Sequence, residues 1–180
     1  SPQLHVSRHV SDLLDIANRK ISAEREKLIQ ALPQSIEAAK RSQAAKHGPH
    51  SGNTAILLRD ICIESLKATG AHIMQEYKWA ASTALFLTQS FATSLANSAD
   101  AQLSQHSAFY AQQLSNQLQA LNMEKLKQEL MPSFESKQHE ILNDIRIELD
   151  RAFAERRRGV IRNLAIGLGN VVRRLVANDG

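Results

Sequence analysis

The sequence predicts an all-α protein, an elongated, antiparallel and coiled-coil-like helical bundle with one very long central helix. Aromatic residues make up only 4% of the chain, and Ala, Leu, Ser and Gln are abundant, which suits helices better than sheets. Apolar residues recur in steps of three and four along most of the chain, the spacing of one helix face. Helix-breaking residues are few, with 4 Pro and 7 Gly among 180 residues.

The first predicted helix covers residues from about 7 to 46. Its apolar stripe runs from Val10 to Leu32 with charged residues between the apolar ones. Pro33 removes a backbone donor and crowds the preceding turn, so we expect a kink or a short break near Leu32. The segment 46–53 contains two glycines and a proline and is predicted to be a loop.

The second predicted helix covers residues 54–130, a stretch without proline in which Gly70 is the only glycine. Counting His106 as a position of the stripe, the apolar stripe between Leu87 and Leu121 advances by about 3.8 residues per step. This is above the straight-helix period of about 3.6, so we expect the stripe to drift around the helix or its partner to wrap around it. The segment Asn97–Asp100 resembles a turn in composition, but the stripe crosses it in register. One continuous helix is therefore favoured over a reversal at this point.

The last part of the chain is predicted to form two helices, over residues 133–158 and 160–177. Pro132 ends the preceding helix, Ser133 caps the next one, and Gly159 separates the two. We expect a single helical domain over residues 1–180. Because the sequence opens with Ser1-Pro2 rather than methionine, we expect it to be a fragment of a larger protein.

Charge is distributed unevenly along the chain. Residues 156–180 contain six arginines and one acidic residue, a net +5, so the total of +4 leaves −1 for the other 155 residues. From Trp79 to Met123 the only charge is Asp100. Such a stretch suits a helix surrounded by others, where neutral polar residues cost less to bury than charges, or a self-association surface. A membrane-spanning helix is disfavoured, because nine of the 21 residues in 79–99 are Ser, Thr, Gln or Asn.

The segment 160–176 is strongly amphipathic. At about 100° per residue, nine apolar residues fall within an arc of about 160°, and no polar residue of the segment enters it. We call these residues the apolar arc: Val160, Ile161, Leu164, Ala165, Leu168, Val171, Val172, Leu175 and Val176.

Arginines occupy the opposite side of this segment and precede it. The candidate anion-binding residues are Arg156, Arg157, Arg158, Arg162, Arg173 and Arg174. The pattern fits a bundle helix packed on the core, which we favour, and it also fits a helix on an anionic membrane surface. Binding to a nucleic-acid phosphate backbone is a third interpretation, although no aromatic residue stands among the arginines to stack on bases.

The chain shows no constellation typical of an active site, a cofactor site or a metal site. The single cysteine, Cys62, excludes an internal disulfide and a thiolate zinc cluster. The pairs His5/His9 and His47/His50 lack further ligands nearby. Neither a Glu-x-x-His motif nor a glycine-rich phosphate loop is present. We therefore expect that the protein is not an enzyme and that it binds neither a cofactor nor a metal.

These observations predict a non-catalytic helical scaffold or interaction module that associates with itself or with another protein. A membrane-surface module of a larger membrane-acting protein is the alternative, and a helical nucleic-acid-binding subunit is the second alternative. The single cysteine and the absence of a signal-peptide pattern point weakly to the cytoplasm.

Overall fold

The protein is all-α, as the sequence predicts. The computed structural model describes residues 2–48 and 50–178, with side chains described for residues 9–48 and 50–177. In this part of the chain there is no strand. The helices are α1 (Pro2–His47), α2 (Gly52–Thr83), α3 (Gln89–Ala120) and α4 (Glu124–Asn178).

Helix α2 is the central element, because it packs against α1, α3 and α4. Helices α3 and α4 also pack on each other and run in opposite directions. Asp100 bonds to Arg146, whereas Gln89, eleven residues earlier in α3, contacts Arg157, eleven residues later in α4. All four helices contribute apolar residues to one core.

The prediction of a single central helix over residues 54–130 is wrong. The chain leaves the helical conformation after Thr83 and restarts at Gln89, where the Thr88 hydroxyl accepts a hydrogen bond from the Phe91 amide at 3.1 Å. A second break follows Ala120, with Asn122 in the left-handed region at φ 56°. Folding α3 back onto α2 buries the apolar stripes of both helices, which one straight helix would leave without partners. The helix does continue through Asn97–Asp100.

The helix ends predicted at Pro132 and Gly159 are also wrong, and of the kink or short break expected near Leu32, the break does not occur. Helix α1 continues through Pro33, and α4 continues through both Pro132 and Gly159. Each proline stands between buried apolar residues on its own helix. Tertiary packing of that face stabilises the helix more than the lost hydrogen bond destabilises it.

Candidate interaction site

The end of α4 projects beyond the rest of the molecule. Phe153 is buried and Val160 is half-buried, but every residue from 161 to 177 is exposed, with Leu168 at 67% and Val176 at 72% of full exposure. We call residues 159–177 the arm and the described residues before Gly159 the body. The expectation that the apolar arc packs on the core is therefore wrong for the isolated chain.

Two arginines fasten the base of the arm to the body. Arg156 donates hydrogen bonds to the carbonyl oxygens of Ala81 (3.4 Å) and Ala84 (3.0 Å) at the end of α2. Arg157 donates to the side chain of Gln89 at the start of α3. Arg156 satisfies backbone carbonyl groups at the end of α2, and the contacts of both arginines fix where α4 leaves the body.

The other four candidate arginines are exposed to solvent. Arg158, Arg162, Arg173 and Arg174 surround the back and the margins of the arm. Residues 159–178 contain no acidic residue. The arm is therefore amphipathic and purely cationic.

The apolar arc lies on the side of α4 that faces α3. In the body, a groove of about 280 Å³ separates α4 from α3. The α4 residues that line this groove are Asp150, Phe153, Ala154 and Arg157. Counting about 100° per residue around the helix, with Val160 at 0°, they lie near 80°, 20°, 120° and 60°, respectively. The apolar arc spans about 0° to 160° on the same scale. The arm thus presents to solvent the same face of α4 that α3 covers in the body. The cover stops at the base of the arm because α3 begins only at Gln89.

A second exposed apolar feature lies at the same end of the body. In the turn between α2 and α3, residues 84–88, Leu85 is 72% and Phe86 is 54% exposed. Ala84 and Leu87 are buried and hold the turn in place. Sequence reasoning missed this feature because no Gly or Pro marks the turn. The cap sequence Thr88-Gln89-Ser90 was the signal that could have located it.

The stretch 79–123, in which Asp100 is the only charged residue, is half core and half surface. Its stripe residues in α3, including His106, are buried, whereas the opposite face of α3 presents Ser, Gln and Asn to solvent. Asp100 pairs with Arg146 of α4 at 2.6 Å. In the described part of the chain, no helix combines the length and hydropathy that crossing a membrane requires.

The remaining candidate side chains are Cys62 and the histidine pairs. Burial raises the pKa of the Cys62 thiol to about 12, which leaves it unreactive. His50 lies on the body with Nδ1 3.0 Å from the Leu121 carbonyl oxygen. Among the described residues, no three His, Cys, Asp or Glu side chains are grouped as metal ligands would be. The side chain of His5 lies outside the described residues.

Comparison of this chain with known protein families, with curated proteins and with solved structures found no match.

Proposed function

We propose that the chain is a non-catalytic helical scaffold that associates with itself through its arm. The observation that carries this proposal is the apolar arc, exposed on the side of α4 that α3 covers within the body. Exposed apolar patches of this extent mark interaction sites, because leaving them in water costs free energy.

The shape of the arm favours a helix as its occupant. Ile161, Leu164, Leu168, Val171 and Leu175 follow steps of three and four, the spacing of a coiled-coil seam. A flat surface resting on the whole arc would run into α3, which stands on the same side of α4. A helix about 10 Å wide fits in line with α3 without this obstruction.

An anionic membrane surface is the second candidate. Arg158 lies at one margin of the arc, Arg162 just beyond it, and Arg174 beyond the other margin. From these positions they can reach phosphate groups while the arc enters the interface. Phe86 in the nearby turn supplies an exposed aromatic residue. This function requires α4 to bend at the base of the arm, so that the arc clears α3.

Sedimentation velocity from about 1 to 100 µM tests self-association, since weak specific contacts fall in this range. We expect the full chain to form a dimer, and Leu168→Asp to abolish it by placing a charge in the seam. The matched control is Ile147→Asp, which changes a half-exposed apolar residue in the body part of the same helix and should leave the dimer intact.

Three outcomes contradict the proposal. The chain stays monomeric at the highest concentration, the dimer survives Leu168→Asp, or both aspartate variants weaken it equally. Co-sedimentation with vesicles containing phosphatidylserine and a gel shift with duplex DNA run beside this experiment. Binding in either assay by a chain that remains monomeric would replace the scaffold with the membrane or nucleic-acid function.

We also infer that the scaffold is an elongated bundle. A straight helix with the 55 residues of α4 spans roughly 80 Å, whereas a compact chain of this length has a radius of gyration of about 16 Å. Small-angle scattering of the monomeric Leu168→Asp variant should give a clearly larger radius. A value near the compact one would show that the arm folds back onto the body in solution.

A further inference from the structure

We propose that two copies associate by antiparallel exchange of their arms, with the tip of each arm seated against the α2–α3 turn of the other copy. This inference rests on the proposed function and specifies its geometry. It assigns an acceptor site to the exposed pair Leu85 and Phe86, which otherwise has no role in the body.

The position of α3 excludes the parallel arrangement. A helix docked on the apolar arc lies in line with α3, just beyond Gln89, because arc and α3 share one side of α4. In a parallel pair, the body portion of the partner's α4 would continue from that position directly into α3. In an antiparallel pair, it continues away from α3, past the tip of the arm. With α4 straight, only the antiparallel pair avoids overlap.

The length of the arm places its tip at the turn. The 17 residues from Val160 to Val176 span about 25 Å, so full overlap of two arms brings each tip level with the base of the other. At that level Arg156 contacts Ala84, the first residue of the α2–α3 turn, and Arg157 contacts Gln89, the residue that follows the turn. Val176, an exposed residue at the end of the arc, then lies beside Leu85 and Phe86.

Helix polarity supports the same placement. The C-terminal end of an arriving arm, which carries partial negative charge, approaches the N-terminal end of α3, which carries partial positive charge. A parallel pair would not bring these ends together.

The charge of the arm predicts how the dimer responds to salt. Arg162, Arg173 and Arg174 lie on the back of the arm, more than about 100° from the centre of the arc, so they face solvent in the dimer and repel across it. Added salt screens this repulsion. We therefore expect the dimer to tighten about two- to tenfold between low and physiological ionic strength. Binding to anionic vesicles or DNA would weaken over the same range.

Cross-linking between copies tests the orientation. A mixture of full-length Leu85→Cys and Val176→Cys chains is treated with a short bismaleimide. We expect a band at twice the chain mass from the mixture and none from Val176→Cys alone. Gln119→Cys, an exposed site in the last turn of α3, replaces Leu85→Cys as the control and should not cross-link to Val176→Cys. Cys62 stays in place because it is buried.

The outcomes separate this inference from the proposed function. If Val176→Cys cross-links to itself, or if the mixture gives no product while sedimentation still shows a dimer, antiparallel exchange is wrong and self-association stands. If the dimer is absent, or insensitive to Leu168→Asp, both proposals fail. Circular dichroism on each variant confirms that the chain remains helical.

Discussion

The part of α4 that lies in the body and the arm belong to one helix, with the same kind of sequence and opposite surroundings. In the body, the apolar residues of α4, such as Phe134 and Leu149, are at most 2% exposed because α2 and α3 cover them. In the arm, an apolar stripe of similar width has no covering helix. The comparison shows that an amphipathic pattern predicts a covered face without specifying which molecule covers it.

The two regions also differ in how their conformation is held. Buried side chains from four helices fix the body, and the side chains of Ser51 and Thr88 cap the starts of α2 and α3. The arm has only its own backbone hydrogen bonds and the two arginines at its base, and it contains Gly159, Gly167 and Gly169. Since isolated helices of this length are marginal in water, the arm gains order when its arc is covered.

The largest expected difference between body and arm concerns the loss of a leucine side chain. Leu103→Ala removes a fully buried side chain from α3 and should lower the free energy of unfolding by about 2–5 kcal/mol. Leu168→Ala removes a side chain that is 67% exposed and should change it by less than about 0.5 kcal/mol. Denaturant unfolding at low micromolar concentration measures both.

At low micromolar protein concentration the arms of different copies are unpaired when the body unfolds. A loss above about 1 kcal/mol for Leu168→Ala under these conditions would contradict the comparison, because it would mean that the arm packs on its own body. At high concentration the same variant should lose stability through the dimer.

The all-α class and most of the core were predictable because they depend on periodicity alone. The stripe from Leu87 to Leu121 predicted the buried face of α3 correctly, His106 included. The same stripe could not show that the chain reverses at residues 84–88, because a short turn between antiparallel helices needs neither Gly nor Pro. Conversely, Pro132 does not end α4, since the proline costs less than the packing of Leu130 and Phe134 on either side gains. Gly159 does not end it either, because a single glycine costs a helix only about 1 kcal/mol.

The residues of the candidate site could be predicted from the sequence, but their exposure to solvent could not. The sequence identified the apolar arc and the arginines, and it favoured burial because most amphipathic helices in a bundle pack on their own core. Whether α3 extends far enough to cover the arm depends on where the α2–α3 turn falls, which the sequence did not reveal. Leu85 and Phe86 were missed for the same reason.

A second difference between the regions is their response to acid. Burial, with a smaller effect from Arg25, lowers the pKa of His106 in the body to about 4, whereas the unfolded chain binds this proton near pH 6.5. The contribution of the neutral His106 imidazole to the free energy of unfolding is fully present above about pH 6.5. It decreases as the pH falls and levels off near pH 4. We expect a loss on the order of 2 kcal/mol over this window.

The control for this titration is His106→Gln, which keeps a polar group next to Gln102 and does not ionise. Urea unfolding of both proteins from pH 7 to pH 4 should show a smaller loss for the variant. Residues 159–178 contain no His, Asp or Glu, so dimerisation through the arms should vary little over the same window. An equal pH slope in both proteins would rule out His106 as its source.

The smallest expected difference comes from one substitution made in both regions, glycine to alanine inside a helix. A Cβ at Gly70 in α2 would collide with Cδ1 of Ile145, whereas a Cβ at Gly159 would meet no atom within 4 Å. In Gly70→Ala the end of the Ile145 side chain has to move, so overpacking at the low end of about 1–3 kcal/mol is largely offset by a gain in helix propensity of about 1 kcal/mol, and the melting temperature should fall by only a few degrees. In Gly159→Ala the propensity gain acts alone on a part of the helix that unfolds independently of the core. The melting temperature of the body should therefore stay constant, while hydrogen exchange in the arm slows. The dimer should tighten by up to about thirtyfold, because both of its arms carry the substitution. If the arm instead binds membranes, Gly159→Ala should weaken binding to vesicles, because a stiffer base would prevent the bend that brings the arc onto a flat surface. Measuring dimerisation and vesicle binding of Gly159→Ala side by side thus decides whether the arm acts as a straight continuation of α4 or as a hinged one.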